Sequence, residues 1–94
     1  MTLDRASCIL TGPNDSIRLA NKEYQMLEML MTNPGQIISA DRFMDKIWGY
    51  DSDAEQNVVW VYVSYLRKKI TSVGAHIQIK AARGLGYLLE AKDD

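Results

Sequence analysis

The feature that most constrains this chain is a set of five apolar residues, Val59, Val63, Leu66, Ile70 and Val73, at offsets of 4, 7, 11 and 14 from the first. A helix turning about 100° per residue brings these positions onto one face, whereas a strand scatters them over both. The segment from about residue 55 to residue 72 therefore reads as a helix with one buried stripe, terminated by Gly74. Its β-branched content (Val58, Val59, Val61, Val63) would also suit a strand, but length and period decide for helix. A stripe of this length must be covered by other elements. In a chain of 94 residues those elements form a single domain, residues 1–94.

The flanking segments supply the cover. Residues 6–10 and 16–19 are strand candidates around the turn formers Thr11-Gly12-Pro13-Asn14-Asp15, and a weaker strand includes Leu3. A first helix runs from about residue 21 to residue 32, with Asn21 as its cap and Glu23 complementing its dipole. Tyr24, Leu27, Leu30 and Met31 form its core stripe, Met26 and Met29 pack in the core or at the helix edge, and Asn33-Pro34-Gly35 stops it. Ile37-Ile38 is long enough for one strand rung or a buried bridge. Ser39 caps a second helix with Phe43 and Ile47 on one face, and Gly49 closes it as a left-handed terminal residue. An acidic connector precedes the long helix. After it, residues 77–81 alternate as a half-buried strand, Arg83-Gly84-Leu85-Gly86 turns, and Tyr87-Leu88-Leu89 returns. The order is hairpin, three helices, hairpin: an α+β domain with a small N-terminal antiparallel sheet.

The face of the long helix opposite its stripe carries Asn57, Val61, Ser64, Tyr65 and Lys68, flanked by Trp60 and Arg67 on one side and Tyr62 and Lys69 on the other. An outward valine makes sense in a DNA groove, where its methyl groups can touch a thymine methyl. Tyr65 and Ser64 offer hydroxyls, and Arg67, Lys68 and Lys69 offer charge to phosphates. The formal net charge is -1, but residues 57–89 hold five cations and no carboxylate. The molecule can thus present a positive face while staying near neutral.

Three segments read together resemble the effector domain of OmpR/PhoB-type response regulators: Leu19-Ala20-Asn21-Lys22-Glu23-Tyr24, Ile47-Trp48-Gly49, and residues 59–70 (VWVYVSYLRKKI) followed by Arg83-Gly84-Leu85-Gly86-Tyr87. The family pattern at these places is roughly LTxxEF, VWG, VDVHIxxLRxKL and RGxGY, matched here in order over almost the whole chain. The resemblance implies a winged helix-turn-helix that binds double-stranded DNA sequence-specifically. The third helix would lie in a major groove, and residues 77–89 would form a wing with Arg83 in the minor groove. By the same resemblance Trp48, Asn57, Tyr62, Ser64, Arg67 and Tyr87 contact phosphates and Tyr65 reads bases. The loop of Tyr50, Asp51, Ser52, Asp53, Ala54 and Glu55 stands where relatives touch RNA polymerase. It further implies a receiver domain, for which this chain is too short, so that it reads as an excised effector domain or a free-standing relative acting in the cytoplasm, excision being favoured because the first strand begins almost at Met1. Without that receiver the domain is expected to be a monomer in solution, pairing head to tail on tandem half-sites.

The chain also departs from the pattern. Ala20 replaces a capping threonine, so that Asn21 is expected to take over the cap. Trp60, Tyr62 and Asn57 stand where aspartate, histidine and arginine are usual, and Ser64 and Tyr65 stand where some members have arginine. Ala81 stands where some have a polar wing residue. The third helix is therefore less cationic and more aromatic than usual, which predicts weaker non-specific affinity.

Other functions find little support. His76 is the single histidine, in a loop, with no nucleophile spaced to use it. Gly84-Leu85-Gly86 lacks the third glycine and the strand-to-helix context of a dinucleotide fingerprint. Cys8 is the single cysteine, read as a buried strand thiol that fits a reducing compartment, and no CxxC pair exists for zinc. Catalysis, metal and cofactor are therefore not expected, nor is a membrane span or a signal segment. The alternative is a winged helix used for protein contact alone, which salt-dependent DNA binding would separate from the first reading.

Overall fold

A computed structural model describes residues 1–49 and 57–92. Strands β1 (Thr2–Leu3), β2 (Ile9–Thr11) and β3 (Ser16–Arg18) form an antiparallel sheet in that order. Its register sets Leu10 opposite both Leu3 and Ile17. Leu10 is fully buried and the other two are partly so, which makes this face the lid of the core. Helix α1 (Asn21–Thr32) has the expected bounds and buries Tyr24, Met26, Leu27 and Leu30. Met31, expected in the stripe, is only partly buried at its edge, as is Met29. Ile38 is the foreseen bridge: it exchanges backbone hydrogen bonds with Tyr87 at 2.8 and 2.9 Å.

Helix α3 (Asn57–Ser72) and the residue that follows it turn the entire predicted stripe inward: Val59, Val63, Leu66, Ile70 and Val73 are all buried. It ends in a Schellman motif. Gly74 takes φ 76, its N–H bonds Thr71 O at 3.0 Å, and Ala75 N–H reaches Ile70 O at 3.3 Å. The turn between β2 and β3 closes on this end, with Asn14 N–H donating to Val73 O at 3.0 Å. Strands β4 (Ile77–Ala82) and β5 (Gly86–Ala91) form the wing, paired from Ile77↔Ala91 to Ala82↔Gly86 and longer than the sequence suggests. A Cβ on Gly86 would lie 2.2 Å from Ile38 O, so only glycine lets the wing approach the bridge so closely.

Four expectations need correction. Cys8 lies outside the strands at φ 60 and is half-exposed. Residues 4–8 instead form a turn around Asp4, whose carboxylate accepts from Ala6 N–H at 3.0 Å and Ser7 Oγ at 2.7 Å. Ala20, not Asn21, occupies the cap of α1. With no side-chain acceptor there, only half of a capping box forms: Ala20 N–H donates to Glu23 Oε1 at 2.7 Å. The second helix is not continuous. Ser39 does cap it, accepting from Arg42 N–H at 3.2 Å. However, α2 spans only Ala40–Phe43 and gives way to a π-helical segment, Met44–Trp48. Gly49 has φ 78 but ψ 172, so it is not in the left-handed helical conformation. Its N–H reaches Met44 O, five residues back, at 2.7 Å, the spacing of a π-helical bond. The start of α3, expected at about Glu55, falls on residues outside the described ones and is not one of these four.

Candidate nucleic-acid interface

Because the stripe commits one side of α3 to the core, the opposite arc faces solvent. Trp60 is 59% and Tyr65 48% exposed, Lys68 is exposed, and Val61 and Ser64 are half-exposed. Ser64 Oγ donates to its own helix, at Trp60 O, 3.2 Å away. Asn57 opens the helix, but its side chain, like the acidic loop of residues 50–55, lies outside the described residues.

The structure divides the three consecutive cations of α3 among different tasks. Lys69, expected to offer charge to DNA, is turned inward: its Nζ is 2.6 Å from Glu23 Oε1, a carboxylate whose side chain is 3% exposed. The pair bridges α1 and α3, and Glu23 Oε1 also accepts the Ala20 N–H, so one oxygen of the buried carboxylate takes two donors. Arg67 reaches the wing instead. Its Nε and Nη2 both donate to Ile79 O, at 3.1 and 2.9 Å. This fork fixes the wing strand to the solvent-facing side of α3 and leaves the other guanidinium N–H groups available. Lys68 alone among the three makes no hydrogen bond or ion pair among the described residues. The positive character of this face is therefore smaller than a count of its cations suggests.

On the side toward α1 the aromatics form a chain. Tyr62 packs edge-to-face on Trp48 at 5.4 Å and on Tyr65 at 5.8 Å. Lys22 Nζ lies 5.6 Å from the Trp48 ring and donates to Ile47 O at 3.3 Å, an arrangement that favours a cation over the indole face. The π-helical segment matters here, since it delivers Trp48 to Tyr62. A shallow groove of about 400 Å³ runs along this side, lined by Ala20, Glu23, Tyr62, Tyr65, Lys68 and Lys69. At the other edge, Arg83 and Leu85 project from the wing turn, Leu85 being 64% exposed. Tyr87 is half-buried, held by its bridge to Ile38.

The sequence-predicted residues thus fall into three groups. Val61, Ser64, Tyr65, Arg67 and Lys68 share the arc, Trp48 and Tyr62 buttress one side, and Arg83 and Tyr87 belong to the wing. Sequence reasoning missed Lys22 beside Trp48. It also left Trp60 on a flank, although this residue is the most exposed aromatic on α3. Among the described residues no group of acidic, histidine and cysteine side chains is arranged to hold a metal, and no helix is long and apolar enough to cross a membrane. The displaced titrating groups lie elsewhere. The Ser7 hydroxyl holds the Asp4 carboxyl below its usual value, and the hydrogen bond to Glu28 pushes the Tyr24 hydroxyl up.

Residues 14–89 match the family described as "Transcriptional regulatory protein, C terminal". The heme response regulator HssR of Staphylococcus saprophyticus is 34% identical over 90 residues, which are 96% of this chain and 40% of that protein. The chain thus spans about two fifths of the length of that relative. Among solved structures, the C-terminal domain of the nisin resistance regulator NsrR superposes with a TM-score of 0.78 at 33% identity, covering 98% of this chain and 93% of that one. The DNA-binding domain of Klebsiella pneumoniae RstA, solved in complex with the RstA box, gives 0.75 at 27% identity, covering 94% of this chain and 88% of that one. The chain belongs to this family: it is an OmpR/PhoB-type winged-helix DNA-binding domain of the response-regulator kind.

Proposed function

We propose that the domain binds duplex DNA sequence-specifically by laying α3 in a major groove while the wing tip enters the neighbouring minor groove. The observation that carries this reading is the open arc of α3 beside a wing that the Arg67 fork anchors to the same helix. Helix and wing then meet the duplex as one rigid surface. Val61 and Tyr65 contact base edges. Lys68, Ser64, Asn57 and the free guanidinium edge of Arg67 meet phosphates, as do Trp48, Tyr62 and Tyr87. Arg83 enters the minor groove, where a narrow A·T-rich segment attracts arginine. The complex of the related RstA domain with its box supports a DNA target.

In a full-length protein a receiver domain governs this one, and the acidic segment of residues 50–55 is the part that RNA polymerase contacts. Two copies bind head to tail on a direct repeat, since a spacing of about 10–10.5 bp sets both recognition helices on one side of the duplex. Selection from random duplexes, followed by titration over a range of salt, tests the reading. The expected result is a direct-repeat site whose affinity falls linearly with salt on logarithmic axes. Absence of salt-dependent binding would overturn it, and a preference for inverted repeats would overturn the head-to-tail arrangement.

A further inference from the structure

The contacts proposed above leave unused the largest apolar group on the outward arc. Trp60 is 59% exposed. It pairs with no other ring and its indole N–H has no partner among the described residues, whereas Trp48 is packed against Tyr62. An indole normally buries about 150–250 Å² and finds an acceptor. Its position is also defined. Trp60 lies one helical turn before Ser64 and two before Arg67, on the wing side of the arc, while Tyr65 lies on the side toward α1. It is adjacent to Val61 in the chain and shares the exposed surface with it.

The charges sharpen the point. Lys69 is spent on Glu23 and Arg67 is partly committed to Ile79 O, so among the described residues Lys68 is the one unengaged cation of the three. A face with so little free charge draws less on phosphate neutralisation than a fully cationic helix does. The major groove, for its part, presents one kind of apolar group, the C5-methyl of thymine. We propose that Trp60 packs on thymine methyl groups in the major groove and, with Val61, makes the domain distinguish thymine from bases that lack the methyl. This inference rests on α3 being the recognition helix.

The test uses a duplex obtained by selection, with its thymines replaced singly by deoxyuridine, which removes the methyl group and keeps the base pairing. Binding is followed by fluorescence anisotropy for the parent chain, Trp60→Ala and Trp60→Phe. Trp60 is exposed, so both variants should keep the parent's thermal midpoint. At one or two positions deoxyuridine should weaken the parent about three- to tenfold, the scale of losing a buried methyl contact. Trp60→Ala should lose that sensitivity at the same positions, and Trp60→Phe should keep part of it. An undiminished deoxyuridine penalty in Trp60→Ala would overturn the proposal. So would an equal loss on selected and scrambled duplexes, which marks a contact without base information. Unchanged DNA affinity throughout would mean that Trp60 faces something other than DNA, such as a protein surface. If the parent itself shows no salt-dependent binding, the recognition-helix reading falls, and this proposal with it.

Discussion

The two faces of α3 obey different rules. On the inner face, five residues at helical spacing are all buried, and nothing distinguishes them but shape and apolarity. On the outer face, neighbouring positions carry an indole, a phenol, a hydroxyl, an isopropyl group and cations, and each has a separate fate. Lys69 pairs with Glu23, Arg67 forks onto Ile79 O, and Lys68 has no partner among the described residues. Burial is collective and tolerant of identity, so it leaves a periodic trace in the sequence. Recognition depends on individual side chains and leaves none. Substitutions on the two faces should therefore separate stability from DNA binding.

The largest effect is expected at the centre of the inner face. Leu66 is fully buried, and Leu66→Ala should destabilise the fold by about 2–5 kcal/mol, a large fraction of the stability of a small domain. Chemical denaturation measures this, and a midpoint near the parent's would show that the inner face is not the core. Next comes the residue that crosses from one face to the other. Lys69→Met leaves the Glu23 carboxylate buried with the Ala20 N–H as its remaining donor. The expected cost is about 2–3 kcal/mol, somewhat less than for fully buried pairs because Lys69 is partly exposed. A stable Lys69→Met variant that instead loses DNA affinity would return Lys69 to the outer face.

The inner face, the bounds of α1 and the Ile38 bridge were legible because they follow from period, from Asn33-Pro34-Gly35 and from apolar pairing. The π-helical segment was not legible. Its mark is the Gly49 N–H on Met44 O, five residues back, and a glycine after a helix is equally compatible with an ordinary cap. The cap of α1 was misjudged by one residue because Glu23 serves Ala20 from within the helix. Cys8 looked like strand interior, but the Asp4-centred turn takes the backbone out of the strand before it. The division of labour among Arg67, Lys68 and Lys69 was also hidden. The partners of Arg67 and Lys69 lie 12 and 46 residues away in the chain, so adjacent cations that look equivalent in sequence diverge only once the wing and α1 are in place.

Smaller effects belong to the outer face. Tyr65→Ala should leave stability within about 0.5 kcal/mol of the parent and lower discrimination at one or two base pairs by about 1–2 kcal/mol. That is the lower part of the range for base contacts, since one hydroxyl makes a single bond. A repeated selection that returns the parent's preference matrix would remove Tyr65 from the reading surface. Smallest is Lys68→Ala. It should weaken selected and scrambled duplexes alike and reduce the logarithmic salt slope by about one. A loss confined to the selected duplex would make Lys68 a base-reading residue instead.

The claim that DNA meets the outer face of α3 together with the wing tip is tested most directly by titrating an isotope-labelled domain with a duplex carrying one half-site and following its amide resonances. The account predicts that the shifts and broadening centre on residues 57–72 and 83–87, with the β1–β3 sheet little changed. Perturbation centred on β1–β3, with α3 and the wing turn unmoved, would contradict it.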